Sequence, residues 1–517
     1  MPIRLIFLLF VLLFAGCASL PSDVQRITTA ALAKEATEST HIGHEVTALV
    51  NKHAGQSGFY VLNDGIDAFA ARLTMVEKAE KSVDVQYYIW HDDMTGRVLH
   101  NRLLAAADRG VRVRLLLDDL DTVGKDEMLH IIDAHPNIEI RLFNPFANRT
   151  KRVGDFLGDT SRINRRMHNK TITADNQVSI FGGRNIGDEY FDATEDVGFR
   201  DMDALAIGPV VQEISQGFDL YWNSEWVYPL SAFESERPIT EVMIKEFRLQ
   251  SDAYLQEAIS SEYAIVARAH REAGSKNVHK VGFVWSPWVL VYDQPSKVVA
   301  EEVKVETHLG PKLKKAMDKT EKELLIVSPY FVPGSKFTDY LVGLESRGVE
   351  VHILTNSLAS NDVSLVHAGY MRYRERLVSG GVDLYEFKPV DKEGSDKKEK
   401  KGSWVGASRS SLHGKFFGFD QEHLFIGSFN LDGRSVALNT ELGVYFKSEK
   451  HAKMMSEAFK DKVIHKAYKV TLDEDGDMVW VTQEDGKEVR FDQEPETGVW
   501  KRFSTDFLSI IVPENQL

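Results

Sequence analysis

The feature that most constrains this chain is a constellation of polar residues that occurs twice. One copy, MHNKTITADNQVSIFGGRN, holds His168, Lys170, Asp175, Gly182, Gly183 and Asn185; the other, LHGKFFGFDQEHLFIGSFN, holds His413, Lys415, Asp420, Gly427, Ser428 and Asn430. In both, lysine follows histidine by two residues, aspartate by seven and asparagine by seventeen, and the shift between copies is 245 throughout. A single H-x-K-x4-D in 517 residues can arise by chance. Two copies with matching Gly-Gly or Gly-Ser and Asn sequels point to a duplicated functional unit.

The flanks repeat too. The strand SVDVQYYIW (82–90), a helix (96–109) and the strands GVRVRLLLD (110–118) and IEIRLFNP (138–145) are matched by ELLIVSPYF (323–331), a helix near 336–347, GVEVHILTN (348–356), a helix near 364–379 and VDLYEFKP (382–389). Strands that alternate with helices and are almost continuously apolar predict a buried sheet covered by helices in each copy. The expected fold class is α/β: two homologous lobes, each a mixed sheet flanked by helices, related by a pseudo-two-fold axis with one site at their interface. The predicted layout is an export signal and its cysteine (1–17), a helical segment (18–55), a first lobe (56–228), a helical linker (229–300), a second lobe (301–465), and a β-meander with a terminal tail (466–517).

The spacing carries chemistry. In an extended strand residues two apart share a face, which puts His168 beside Lys170 and His413 beside Lys415. An imidazole next to an ammonium suits a phosphate group: Lys170, Lys415, Asn185 and Asn430 can donate to its oxygens while a histidine nitrogen approaches phosphorus, and Gly183 or Ser428 lets the backbone come close. A neutral histidine can attack phosphorus while a protonated one supplies the departing alkoxide with a proton. Carboxylates would hold the imidazole tautomers. Glu441 in NTELGVYF and Asp201 in FRDMDALAIG, with Asp203 as runner-up, are the candidates.

Composition sets limits. With 62 basic against 77 acidic residues the net charge is −15, which argues against a broad grip on nucleic-acid phosphates. The single cysteine excludes a disulfide framework and a cysteine-rich metal site. It stands at Cys17, behind Arg4, the apolar run 5–16 and Ala15-Gly16, which resembles the cleavage box of lipoprotein precursors, where the cysteine becomes the lipidated N-terminus. Ala18 after it suggests sorting to the outer membrane, facing the periplasm.

The doubled motif resembles the phospholipase D superfamily over roughly residues 56–465. GGRNIGDEYF (182–191), SPYFVPG (328–334), VHAGYMRYR (366–374) and GSFNLDGRS (427–435) look most like bacterial cardiolipin synthases of the C type; Gly433 stands where many relatives have proline. The resemblance implies a mechanism without metal or cofactor, in which a phosphohistidine transfers a phosphatidyl group to an alcohol or water; cardiolipin synthesis from phosphatidylglycerol and a second phospholipid is the expected reaction, with phospholipase D hydrolysis or a phosphodiesterase or nuclease of the same superfamily as the alternative. It makes His168 the expected nucleophile and His413 the acid/base, with Asp175 and Asp420, the remaining members of the candidate catalytic set, supporting the site structurally. Asn185, Asn430 and Ser428 are the expected phosphate ligands. Expected partners are phospholipids (phosphatidylglycerol and a second lipid such as phosphatidylethanolamine) and the membrane surface, with no nucleic acid and a monomeric chain.

Smaller features carry expectations of their own. Arg184 and Arg434 are expected to seal the interlobe seam by ion pairs. His367, Tyr370, Arg372 and Arg374 are placed on a helix as a wall of the acceptor pocket or, equally, as packing. Trp500, Phe503, Phe507 and Leu508, with Lys501 and Arg502, suit either a lipid surface or a terminal helix packed on the second lobe. His91, His100 and His423 lack partners at metal-ligand spacing, and the lysine-rich run 392–401 reads as a solvated loop.

Overall fold

Two sheets of nearly the same design organise the chain. The computed structural model describes residues 19–150, 159–191, 201–235, 237–260, 282–298, 308–361, 363–389 and 412–511, together with Arg152, Asp155, Tyr263, Ile265 and Arg268. Cys17 and the run 392–401 lie outside the described residues.

The first sheet runs, edge to edge, Val227–Pro229, Ile138–Phe143, Arg112–Asp118, Ser82–Tyr87, Thr171–Ala174, Val178–Gly182, Asp203–Ile207, Ser57–Leu62 and Val284–Ser286. The second runs Trp288–Tyr292, Leu442–Lys447, His423–Gly427, Phe416–Phe419, Glu323–Val327, Glu350–Asn356, Asp383–Phe387, Ala467–Leu472, Met478–Glu484 and Lys487–Phe491. Within each, the three strands before the polar motif pair in parallel, and the motif's own hairpin joins them antiparallel. Both sheets are therefore mixed, with a common unit of six strands in the same order.

The parallel strands are buried on both faces, as their apolar runs require: Val83, Val85, Leu115, Ile140, Leu324, Ile326, Val351 and Ile353 are all 0–1% exposed. The two lobes share one core. Phe59, Phe181, Ala204 and Ala206 of the first pack with Leu424, Ile426, Val444 and Phe446 of the second, and the rings of Phe59 and Phe446 stack 4.3 Å apart. Burying aliphatic and aromatic side chains against each other is worth about 1.5–3 kcal/mol apiece, so the lobes hold a fixed mutual position.

Three segments depart from the sequence reading. Residues 26–31, expected to be helical, run extended along the first lobe, where Arg26 Nε donates to Val227 O (2.8 Å) and Ala31 N to Asp219 Oδ2 (2.8 Å); helix begins only at Lys34. The helical linker holds the helix Glu241–Ile259 but ends in two consecutive strands, Val284–Ser286 on the first sheet and Trp288–Tyr292 on the second. From Val284 to Tyr292 its apolar run is used as sheet edge, with Pro287 at the crossing between sheets. The meander is no separate unit: its three strands extend the second sheet, turning at Asp485 (φ 49°) and Gly476.

Candidate active site

The two polar motifs meet where the lobes touch. Each histidine sits just ahead of the first strand of its hairpin, and the lobes are clipped together at that level: His168 N donates to Thr440 O (2.8 Å) and Thr440 N to Arg166 O (2.9 Å). The site is thus built on strand ends held by backbone pairing between lobes.

The orienting carboxylates are exchanged between lobes. His168 Nδ1, from the first lobe, lies 2.9 Å from Glu441 Oε2 of the second and 3.0 Å from Ser428 O. His413 Nδ1, from the second, lies 2.7 Å from Asp201 Oδ2 of the first. A backbone carbonyl can only accept, so Nδ1 of His168 carries the proton and Nε2 is left with its lone pair. Neither lobe holds a complete site.

The lysines repeat the symmetry. Lys170 Nζ donates to His168 O and Lys415 Nζ to His413 O, each at 2.7 Å. The ammonium of Lys415 also lies 3.2 Å from His413 Nε2. Asn185 Oδ1 accepts from Ile89 N (3.3 Å); its Nδ2 and the Oδ1 of Asn430 are buried with no hydrogen-bond partner among the described residues. The oxygen and nitrogen of an amide exchange by a half-turn, so each asparagine keeps one group for a guest that accepts hydrogen bonds.

Electrostatics separate the halves. Burial pushes His168 well below the usual histidine value, and the charges of Lys170, Lys415 and His413 push the same way. His413 is lowered too, by burial and Lys415, but the Asp201 hydrogen bond opposes the shift, and its side chain is 22% exposed against 8% for His168. Burial alone would raise Asp201, but the bond to His413 and the Arg184 charge outweigh it, so its carboxyl is lowered and ionised. Glu441 is raised to about 7 by burial, against the pull of Lys170 and two serine hydroxyls. Lys170 is lowered to about 7 by burial and the charge of Lys415.

Several sequence-derived assignments move. Asp175 and Asp420 stand at the far ends of their strands and act on backbone: Asp175 Oδ1 accepts from Lys81 N (2.8 Å) and Ser82 N (3.0 Å), Asp420 Oδ1 from Lys322 N (2.7 Å) and Glu323 N (3.1 Å). Both take the left-handed turn conformation, at φ 50° and 53°, which aspartate tolerates. Neither belongs to the reacting centre. The Ser428 hydroxyl is directed away from any phosphate, donating to Glu441 Oε2 at 2.5 Å, because its neighbour is a buried carboxylate in need of donors. Asp203, the alternative to Asp201, pairs instead with Arg72 Nη2 (2.8 Å) and Arg184 Nη1 (3.3 Å).

The interlobe arginines divide. Arg184 stays inside the first lobe, donating to Leu62 O (2.8 Å) and Asp201 O (2.9 Å), whereas Arg434 crosses the seam by hydrogen bonds to Asn164 Oδ1 (2.6 Å) and O (2.7 Å). The helix Ser364–Ser379 carries His367, Tyr370 and Arg374 into a buried cluster: Arg374 Nη1 meets Glu386 Oε1 (2.9 Å) and Glu494 Oε1 (2.6 Å), and the Tyr370 hydroxyl donates to Glu386 (3.0 Å). These buried contacts tie the end of the meander to the second lobe. His91 does find acidic company, with Nδ1 3.1 Å from Glu189 Oε1.

Sequence reasoning missed the aromatic edges and the serine shell. Tyr88 meets the His168 ring edge-on at 4.9 Å, and Tyr190 meets His413 at the same distance. The Ser435 hydroxyl donates to Glu441 Oε1 at 2.7 Å, held there by a short helix capped by Asp432. Tyr190 and Ser435 lie inside motifs already quoted, yet nothing in their spacing marks them. Asp118, which accepts from Met167 N (2.8 Å) next to His168, carries no signal either.

Comparison with known proteins places the chain in a family. The family model described as cardiolipin synthase, PLD-like domain, matches twice, over residues 73–222 and 313–463. The chain belongs to the phospholipase D superfamily. It is a phospholipase D/transphosphatidylase-type enzyme of the cardiolipin synthase group. It is 42% identical over 477 residues to cardiolipin synthase C of Escherichia coli, covering 91% of this chain and 98% of that one. An uncharacterized protein of Helicobacter pylori is 32% identical over 485 residues, covering 93% of each chain. The crystal structure of phosphatidylserine synthase from Haemophilus influenzae superposes with a TM-score of 0.54 at 13% identity, over 91% of this chain and 100% of that one, which shows the shared fold.

Proposed function

We propose that the enzyme makes cardiolipin from phosphatidylglycerol and a second phospholipid by phosphatidyl transfer: one lipid, phosphatidylethanolamine or another phosphatidylglycerol, gives up its phosphatidyl group and releases its headgroup alcohol, and the glycerol hydroxyl of a phosphatidylglycerol receives it. The observation that carries this reading is the crossed pair of histidine–carboxylate contacts, which sets two unequal imidazoles around one place for a phosphate. His168, buried, neutral and with Nδ1–H held by Glu441 and Ser428 O, presents its Nε2 lone pair to phosphorus. As the N–P bond forms and the bond from phosphorus to the headgroup oxygen breaks, His413 gives that oxygen a proton, and ionised Asp201 holds the imidazolium that exists before transfer. The acceptor hydroxyl then returns a proton to His413 while its oxygen attacks phosphorus, and the N–P bond breaks. Lys170, Lys415, Asn185 and Asn430 hold the phosphate oxygens.

The surroundings proposed for the reaction rest on the segment around Cys17 and on the helix Val499–Ile511. Cys17 would carry a lipid anchor to the periplasmic face of the outer membrane, with the enzyme acting as a monomer. No helix among the described residues is long and apolar enough to cross a membrane. The helix Val499–Ile511 packs on Ser364–Ser379, with Arg372 Nε donating to Ser509 O (2.6 Å), yet leaves Val499 (72%), Trp500 (82%) and Phe503 (62%) exposed next to Lys501 and Arg502. On a chain of net charge −15, this apolar and locally basic tip is suited to an anionic lipid surface.

The test is incubation of the purified protein with labelled phosphatidylglycerol, with and without phosphatidylethanolamine, alongside single-stranded DNA. Labelled cardiolipin that disappears with His168→Ala and His413→Ala is expected. DNA cleavage without lipid turnover would overturn the lipid reading.

A further inference from the structure

The lobes differ in what stands behind their orienting carboxylates. In the first, Asp201 is backed by a buried ion pair: Arg184 donates to Asp201 O (2.9 Å) and meets Asp203 Oδ2 (3.3 Å). The strand registers, Gly182 opposite Asp203 and Gly427 opposite Gly443, make Gly443 the counterpart of Asp203, and the 245-residue shift makes Phe429 the counterpart of Arg184. The second lobe therefore lacks both members of the pair. Yet Glu441 is wholly buried and needs compensation at least as much.

The missing pair arrives from outside the repeat. After the strand Trp288–Tyr292 joins the second sheet beside Leu442–Lys447, the chain places Asp293 against Glu441: Asp293 N donates to Glu441 O (2.9 Å) and Glu441 N to Asp293 Oδ2 (3.0 Å). Lys297 Nζ donates to Asp293 Oδ2 and to Ser435 O, both at 2.9 Å, and both side chains are 0–1% exposed. Ser435 in turn donates to Glu441 Oε1. The Tyr221 hydroxyl of the first lobe donates to Asp293 O (2.6 Å), so the pair is locked from both lobes. None of these residues reaches the histidines.

We infer that Asp293 and Lys297 of the interlobe segment are positioning residues, Asp293 holding the Glu441 backbone in place and Lys297 keeping its carboxylate ionised, which together fix the tautomer of His168. A buried cation behind a carboxylate favours its charged form. The ionisable groups facing Glu441 are His168, Lys170, Lys297, Asp293 and Asp432, with the Ser428 and Ser435 hydroxyls; Lys170 and Lys297 lower its proton affinity, whereas Asp293 and Asp432 oppose them. Removing the Lys297 charge leaves Glu441 protonated to higher pH, where it no longer accepts from Nδ1–H of His168. The inference rests on the transfer mechanism above but not on the identity of the lipid.

The experiment follows kcat and KM against pH for the full chain and for Lys297→Met, Lys297→Arg and the double variant Lys297→Met/Asp293→Asn, which leaves no lone carboxylate buried. Each is assayed on phosphatidylglycerol vesicles and on bis(p-nitrophenyl) phosphate. In Lys297→Met the acid limb of kcat is expected to move up by about one pH unit, an effect of about tenfold on its acid side, with KM little changed and Lys297→Arg close to the parent; the double variant, which also loses the opposing Asp293 charge, should move the same way by less. A parental pH profile in folded Lys297→Met and double variants, or a loss equal at every pH, would overturn the inference. Turnover of the chromogenic diester without lipid turnover would remove the cardiolipin reading while leaving the pH shift readable.

Discussion

The two half-sites descend from one unit, yet they are not equivalent, and the differences fall where the chemistry needs them. In the half around His413, Asp201 Oδ1 would lie 2.3 Å from a Cβ at Gly183, so the carboxylate packs directly on backbone where glycine alone fits. In the half around His168, Ser428 replaces that glycine and the longer Glu441 takes two serine hydroxyls. The result is one imidazole that is deeply buried, and another that is more exposed and paired with an ionised aspartate. Duplication supplies two histidines; their unequal shells supply a nucleophile and an acid.

The strongest way to break this comparison is to remove the histidines one at a time. His168→Ala should abolish turnover of every substrate, whereas His413→Ala should lower kcat on phospholipid by about 10²–10⁴-fold and lose much less on a diester whose leaving group needs no proton. Equal losses on both substrates would erase the division of labour. Next in size, Asp201→Asn should cost about 10²–10³-fold in kcat by removing the charge that holds the His413 imidazolium, while Ser428→Gly, which makes the second half resemble the first, should cost no more than about tenfold.

The acidity pattern sharpens it further. With Glu441 and Lys170 both near 7 and His413 held below the usual histidine value, turnover requires Glu441 ionised and both Lys170 and His413 protonated, so kcat/KM should trace a narrow bell, rising as Glu441 ionises and falling as His413 and Lys170 lose their protons. Glu441→Gln should remove the rising limb, leaving lower activity that no longer climbs with pH. A broad plateau in the parent enzyme would contradict the assignment.

Smaller effects mark the residues outside the centre. Asp175→Ala should cost about 1–3 kcal/mol in urea unfolding, by leaving backbone donors of residues 80–82 unpaired, with kcat per folded molecule nearly unchanged. Trp500→Ser with Phe503→Ser should weaken binding to anionic vesicles several-fold without changing turnover of a short-chain lipid below its micelle concentration. The same serines at Val242 and Leu249, exposed at 65% and 62% on a different helix, should change neither.

What the sequence made legible follows from periodicity. Repeats at a fixed shift and alternating elements suffice for the two sheets, and the rule that strand residues two apart share a face suffices to put each lysine beside its histidine. Asp201 and Glu441 were recognisable as carboxylates opening apolar strands after each motif, but their exchange between lobes was not, since a one-dimensional pattern carries no information on which lobe a strand end faces. For Asp175 and Asp420 only the resemblance pointed to a structural role, since a motif spacing kept by turn geometry is indistinguishable from one kept by chemistry. Asp293 and Lys297 lay in the connecting segment, where no repeat exists to draw attention to them.

The central claim, that one phosphate is handled by two unequal histidines, is tested most directly by finding the covalent intermediate. The protein is mixed briefly with phosphatidylglycerol, quenched in alkali to preserve a nitrogen–phosphorus bond, and digested for peptide mass mapping. The account predicts a phosphatidyl adduct on His168, which forms far more slowly in His413→Ala but still on His168, and is missing from His168→Ala. An adduct on His413, or cardiolipin formation with no histidine adduct at any time, would contradict it.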